Sequence, residues 1–142
     1  MNLTEHFTLE ELTHTDHREF ENTPNADQIN NLERMAELLE QVKKIFGGKP
    51  IMVNSAFRSL QVNAAVGSKP TSQHCLGCAA DIRVPGMTPD EVVKSIRASD
   101  LQYDQLIREF DSWTHISVPN EVRMTPRNQT LIIDKQGTRS YA

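Results

Sequence analysis

Residues 71–82, "TSQHCLGCAADI", hold His74, Cys75, Cys78 and Asp81, and three chemistries compete for them. A Cys-x-x-C can be a redox pair or half of a thiolate zinc clamp, or the cysteines can be bystanders beside a site built on His74 and Asp81. The local fold weighs against the first two. The preceding "GSKPTSQH" reads as a loop by its Gly, Ser and Pro, and "AADIRV" reads as a short strand stopped by Pro85-Gly86. Redox Cys-x-x-C pairs sit at a helix N-terminus, where the thiol pKa is lowered. This one runs into a strand. A thiolate clamp needs a second ligand pair, and the only other one is "HTDH" at 14–17, in a polar stretch that reads as solvated.

Working outward, "FTLEELTHT" predicts a short helix over residues 7–14. In "ADQINNLERMAELLEQVKKIFGG" Ile29, Leu32, Met35 or Ala36, Leu39, Val42 and Phe46 recur at helical steps. Lys43 and Lys44 complement the end of that helix and Gly47-Gly48 cap it. "PIMVNSAF" is β-rich and "SLQVNAAV" returns to helical spacing. "TPDEVVKSIRAS" opens with Thr88 as N-cap, Pro89 at the first helical position and Glu91 as capping-box partner, which predicts a helix over 89–98. "DQLIREF" and "WTHISV" are close enough to form a hairpin, and "QTLIID" adds a strand before a turn at Gly137. The expected fold is α+β, helices packed on a small antiparallel sheet, in one domain over 1–142.

Composition narrows the function classes. A net charge of -4 and a pI near 5.7 supply no basic field for nucleic acid or an anionic membrane surface. No stretch is apolar enough to span a bilayer, and "MNLTEHFTLEEL" lacks the basic and apolar regions of a secretory signal. Synthesis in a cytoplasm, with reduced thiols and as a monomer, is therefore expected.

Catalytic zinc takes three protein ligands and leaves one position open. His74, Asp81 and His115 are a plausible set: two near in sequence and one distant, with His115 alternating with Trp113 and Ser117 on one face of the last hairpin strand. Taken alone the set is only moderately specific. A lone strand histidine is more often a hydrogen-bonded half-buried residue, and an aspartate entering a strand is more often a cap.

"SQHCLGCAADI" resembles the Ser-x-His-x-x-Gly-x-Ala-x-Asp signature of the zinc D-alanyl-D-alanine carboxypeptidase family, whose fold is shared with the hedgehog signalling domain. "LTEHFTLEEL", "GGKPIMVNSAFRS", "VNAAVGSKPTSQH" and "DQLIREFDSWTHISV" resemble, in the same order, its small phage-type branch of endolysin peptidases. The resemblance implies a hedgehog-like fold and a Zn2+ ion held by His74, Asp81 and His115, with Gly77 and Ala79 allowing the ligand loop to pack tightly. It makes Cys75 and Cys78 bystanders. It implies that Arg58 faces the substrate, where a guanidinium can bind a carboxylate or steady a developing oxyanion. Ser72 would orient substrate or a ligand, or cap the loop, and Trp113 would wall the cleft. The implied substrate is a peptidoglycan stem peptide, cut by a carboxypeptidase or endopeptidase that reaches the cell wall through a membrane pore or as a virion component. The alternative is a non-catalytic zinc-stabilised binding module.

The general base departs from the family's better-known pattern, since position 112, three before His115, is Ser. The hedgehog-like spacing points to Glu109, with Asp111 competing. Hairpin geometry separates them. A two-residue connection would turn Glu109 away from His115, whereas the three residues Phe110-Asp111-Ser112 pair Glu109 with Trp113 and Ile107 with His115, bringing Glu109 to the ligand's face. The longer connection is expected, with Asp111 and Ser112 accommodating any left-handed backbone.

Overall fold

The computed structural model describes residues 1–141. Four α-helices are present among them: α1 (Leu9–Leu12), α2 (Ala26–Ile45), α3 (Leu60–Ala65) and α4 (Pro89–Arg97). Six strands, β1 (Met52–Ser55), β2 (Ala79–Arg83), β3 (Gln105–Glu109), β4 (Trp113–Ser117), β5 (Gln129–Asp134) and β6 (Gly137–Ser140), form one sheet in the order β1-β2-β4-β3-β5-β6. The fold is α+β, as the pattern of elements predicts.

Each helix starts where its chemistry allows. Capping boxes open α1 with Thr8 and Glu11, α2 with Asn25 and Gln28, and α4 with Thr88 and Glu91 behind Pro89. Leu32, Met35, Ala36, Leu39 and Val42 of α2 are fully buried, on the predicted stripe. The segment before β2 differs from the expected loop: Gln73–Leu76 forms a 3-10 turn, with the Ser72 side chain accepting from the His74 N–H. A loop rich in Ser and Pro left no periodic pattern from which so short a turn could be read.

The sheet is antiparallel throughout except that β5 runs parallel to β3. β5 can lie parallel to its neighbour β3 because β4 carries the chain back along the sheet, and the connection after β4 only steps across the end of β3. That connection is pinned where Arg127 bonds Asp104 and where the Asn128 N–H meets the Tyr103 carbonyl. The turn expected at Gly137 falls at residues 135–136, and Gly137 opens β6, a strand the sequence does not predict; its residues Gly-Thr-Arg-Ser are all exposed and show no alternation.

Period-two alternation gives the sheet two different faces. Ala80, Ile82, Leu106 and Ile116 point to the hydrophobic core with the helices. Asp81, His115 and Glu109 point to the other side. The register sets them together: Asp81 lies opposite His115, Ile107 opposite His115, and Glu109 opposite Trp113. The β3–β4 connection is therefore the three-residue one. Its left-handed residues are Phe110 (φ 52) and Asp111 (φ 51), so the strain falls on Phe110 and not on Ser112. A Cβ-bearing residue there costs roughly 1–2 kcal/mol. The turn persists because the Phe110 N–H is bound by the Ile133 carbonyl at 2.8 Å and the Ser112 N–H by the Glu109 carbonyl at 3.0 Å.

Candidate metal centre and active site

His74 comes from the 3-10 turn, Asp81 from the middle of β2 and His115 from the middle of β4. Their relative exposures are 3 %, 5 % and 8 %, so all three are sequestered polar groups. Asp81 Oδ1 lies 3.3 Å from His74 Nε2 and 3.0 Å from His115 Nδ1. The far nitrogen of His74, Nδ1, meets the Ala56 carbonyl at 2.6 Å.

These contacts define protonation. Burial lowers the His74 pKa, against the opposing pull of Asp81, so the imidazole is neutral near pH 7. Its one proton is then on Nδ1, donated to Ala56, and Nε2 is an acceptor aimed at another acceptor, Asp81 Oδ1. Burial by itself would raise the Asp81 carboxyl; positive charge and N–H donation from the imidazole side reverse this and hold it below the usual range, and with the His74 proton on Nδ1 a cation held between the two groups would supply that charge on the His74 side. Lone pairs facing one another in a dry site are favourable only around a cation. Zinc to N or O bonds of about 2.0–2.2 Å in a tetrahedral shell leave ligand atoms roughly 3.3–3.6 Å apart. The 3.3 Å between His74 and Asp81 fits that shell, and the 3.0 Å between Asp81 and His115 is slightly tighter. The donor set, two imidazoles and a carboxylate, also matches zinc, and one imidazole already has the carbonyl partner that fixes its orientation.

Arg58 closes the shell from behind. Sequence reading gives this arginine a partner in the substrate; the structure gives it three in the protein. Its Nη2 donates to Asp81 Oδ2 at 3.0 Å, its Nε to Ser55 and its Nη1 to Asn63. Asn63, almost fully buried on α3, also donates to the Lys69 carbonyl and so ties Arg58 to the loop before the 3-10 turn. Ser55 and Asn63 escaped the sequence reading. The available signal was a polar residue on the inner face of a short apolar helix, which is weak without a partner in view.

Glu109 stands beside the cluster, its Oε1 3.8 Å from His115 Nδ1 and its Oε2 accepting from the Trp113 indole N–H at 3.1 Å. Burial raises its carboxyl pKa and nearby Asp81 adds to this, with His115 opposing. Asp111 is placed elsewhere: it is exposed and its carboxylate pairs with Arg108 Nε at 2.9 Å. The cleft over the cluster has a volume of about 870 Å³ and its lining includes Arg58, Ser72, Glu109, Trp113, Phe110 and Lys69. Every candidate named from the sequence except Asp111 thus borders one cavity.

The cysteines do not. Cys75 and Cys78 are buried free thiols, both with pKa raised by burial, hence protonated and poor ligands or nucleophiles. Cys78 packs in the core, with Arg34 Nη2 at 3.6 Å from its sulfur. The other histidine pair is superficial, His14 next to Asp16 and His17 next to Glu19. Among the described residues, the group able to hold a metal is His74, Asp81 and His115.

A buried His-Asp-His cluster under an open cleft, with a free carboxylate at its edge, is the site of a metal-dependent hydrolase. The family model described as Peptidase M15 matches residues 5–117, which includes all of these side chains, and the chain belongs to that family. No curated protein matches it.

Proposed function

We propose that the chain is a zinc peptidase that hydrolyses an amide bond in peptidoglycan stem peptides or their cross-links, of the phage-type endolysin or virion-associated class. The observation that carries the catalytic reading is the convergence of three buried donor atoms on one point, with the Glu109 carboxylate 3.8 Å from His115 Nδ1 and open to a large cleft. The substrate class rests on the family and on the signature around His74.

His74 Nε2, Asp81 Oδ1 and His115 Nδ1 would hold the ion, which when bound supplies Lewis acidity to polarise a carbonyl and acidify water. Glu109 is the general base. Its Oε1 takes the proton of the attacking water and returns it to the leaving amine, while the Trp113 indole holds Oε2 and keeps the other oxygen turned to the cleft. Burial helps, since a carboxyl with a raised pKa is a better proton acceptor near neutrality. Arg58 fixes the Asp81 carboxylate and presents its remaining N–H groups to the cleft, where they can meet a substrate oxygen. Ser72 caps the turn that carries His74. The enzyme acts as a monomer on wall peptide, has no nucleic-acid partner, and reaches the wall through a membrane pore or as a virion component.

The test is digestion of purified peptidoglycan by the zinc-loaded protein, with and without chelator, and mass spectrometry of the released fragments. Chelator-sensitive release of peptides with a new amine and a new carboxylate is expected, and the fragment masses identify the bond. Tight zinc binding with no released product would replace this reading with that of a zinc-stabilised binding module.

A further inference from the structure

Phe110 carries two costs that the fold does not require. It adopts φ 52, a backbone region that disfavours any side chain with a Cβ, and 49 % of its surface is exposed. A Gly or Asn would serve the turn without either cost. Its backbone is held there by the Ile133 carbonyl, its ring leans on Trp113 with centroids 6.2 Å apart, and Phe110, Trp113 and Ile133 line the cleft together. Strained backbone that its surroundings enforce, presenting an apolar ring at the rim of a polar site, marks a contact surface for a ligand. The surface is continuous with the metal cluster, because Trp113 is also the residue that holds Glu109.

We infer that Phe110, Ile133 and the Trp113 ring form an apolar shelf that takes a methylene-rich side chain of the peptide substrate, one residue or so from the bond that is cut, and so sets specificity. This rests on the peptidase reading for the identity of the ligand as a peptide. The stems of long diamino side chains fit such a shelf, lying along apolar surface with the polar end in water. Two of the three shelf residues are within the stretch that matches the family, and Ile133 is supplied by β5, beyond residue 117.

Trp113 is the chain's only tryptophan, so its fluorescence reports cleft occupancy whether or not turnover occurs. The zinc-loaded protein is titrated with two peptides, L-Ala-γ-D-Glu-X-D-Ala-D-Ala, with X norleucine or alanine; norleucine adds methylenes without charge. Norleucine is expected to bind about tenfold more tightly, the low end of what one methylene is worth in an enclosed apolar pocket, because a half-exposed shelf covers its methylenes only in part. The ratio should fall towards one in Phe110→Asn, which suits the left-handed backbone, fall partly in Ile133→Thr, and be largely kept in Phe110→Leu. Equal binding of the two peptides, an unchanged ratio in Phe110→Asn, or no binding of either peptide at millimolar concentration overturns the shelf. Hydrolysis is read separately on the same peptides. Preference without cleavage sinks the peptidase reading and leaves the shelf; cleavage without preference does the opposite.

Discussion

Replacing Gly77 by alanine tests whether the ligand turn is seated by backbone contact. Gly77 ends the 3-10 turn at φ 80, and a Cβ added to it would lie 2.7 Å from the Gln28 carbonyl oxygen and 3.2 Å from Leu32 Cγ. The first is backbone in the opening turns of α2 and cannot swing aside. The left-handed conformation costs alanine roughly 1–2 kcal/mol, and forcing a methyl into a closed contact adds about 1–3 kcal/mol. Against this, alanine restricts the unfolded chain and returns about 0.4–1 kcal/mol. The net is a destabilisation of about 2–4 kcal/mol, a large part of the roughly 5–15 kcal/mol that holds an ordinary domain together. The turn cannot relax freely, because Gln28 Nε2 donates to the Cys75 carbonyl at 3.1 Å and Asn31 Nδ2 to the Leu76 carbonyl at 2.9 Å. Pushing α2 and the turn apart therefore also displaces His74. Urea unfolding followed by circular dichroism, with zinc affinity measured by competition against a chelating dye, should show a lower midpoint at unchanged slope and weaker zinc binding. A wild-type midpoint in Gly77→Ala would refute the reasoning.

Removal of any one ligand, as in His74→Ala, Asp81→Ala or His115→Ala, should lower zinc content and activity together, and full occupancy of His115→Ala by elemental analysis would break the assignment. Glu109→Gln should keep zinc and thermal stability while losing activity on the order of 10²-fold or more, with Asp111→Asn active; the reverse pattern transfers the role to Asp111. Arg58→Lys, which replaces a planar fork by a point charge, should weaken zinc binding by about 10- to 100-fold because Asp81 loses its brace, and unaltered zinc affinity would show that the contact to Asp81 is idle. At Asp104, hydrogen bonds from Arg127 hold the carboxyl below its ordinary pKa despite burial. The unfolded chain thus takes up the proton first, and the stabilisation, complete above about pH 4, is lost as pH falls through the folded pKa. Urea midpoints of wild type should drop over that range by an increment that is missing from Asp104→Asn.

The elements with strong local signals were legible without coordinates. The apolar stripe of α2, the Thr88-Pro89-Glu91 start of α4 and the alternation in β3 and β4 each state their structure in a few residues. The hairpin register was legible too, because only a three-residue connection brings Glu109 to the face of His115. Of the two residues expected to accommodate left-handed backbone, Asp111 does and Ser112 does not; Phe110 takes the second place, because tertiary hydrogen bonding overrides propensity there. β6 has no periodicity to read, and the parallel pairing of β5 with β3 depends on a connection across the end of β3 whose path is set by Arg127 and Asp104, far apart in sequence. Arg58 is a candidate from the sequence and lines the cleft, but its partner Asp81 was not legible. A guanidinium is equally suited to a substrate carboxylate and to Asp81, and only three-dimensional placement distinguishes them.

The pairing of Asp81 with His115 across β2 and β4 bears on which length changes the chain can accept. Side chains on a strand alternate, so one residue inserted or deleted between Asp81 and Arg83, or between Trp113 and His115, turns the rest of that strand over and exchanges its core and site faces. Ile82 or Ile116 would then be driven towards the cleft and a charged or imidazole group into the apolar layer. The same change among the exposed residues 121–125 of the connection after Val118, or in the polar stretch between α1 and α2 away from Asn22, whose side chain bonds the Phe57 carbonyl and the Ser59 N–H, alters only the reach of a loop. Homologous enzymes should thus differ freely in the lengths of these connections and hold constant, to the residue, the spacing within each ligand strand, and a scan of single-codon insertions along this gene should trace the same map.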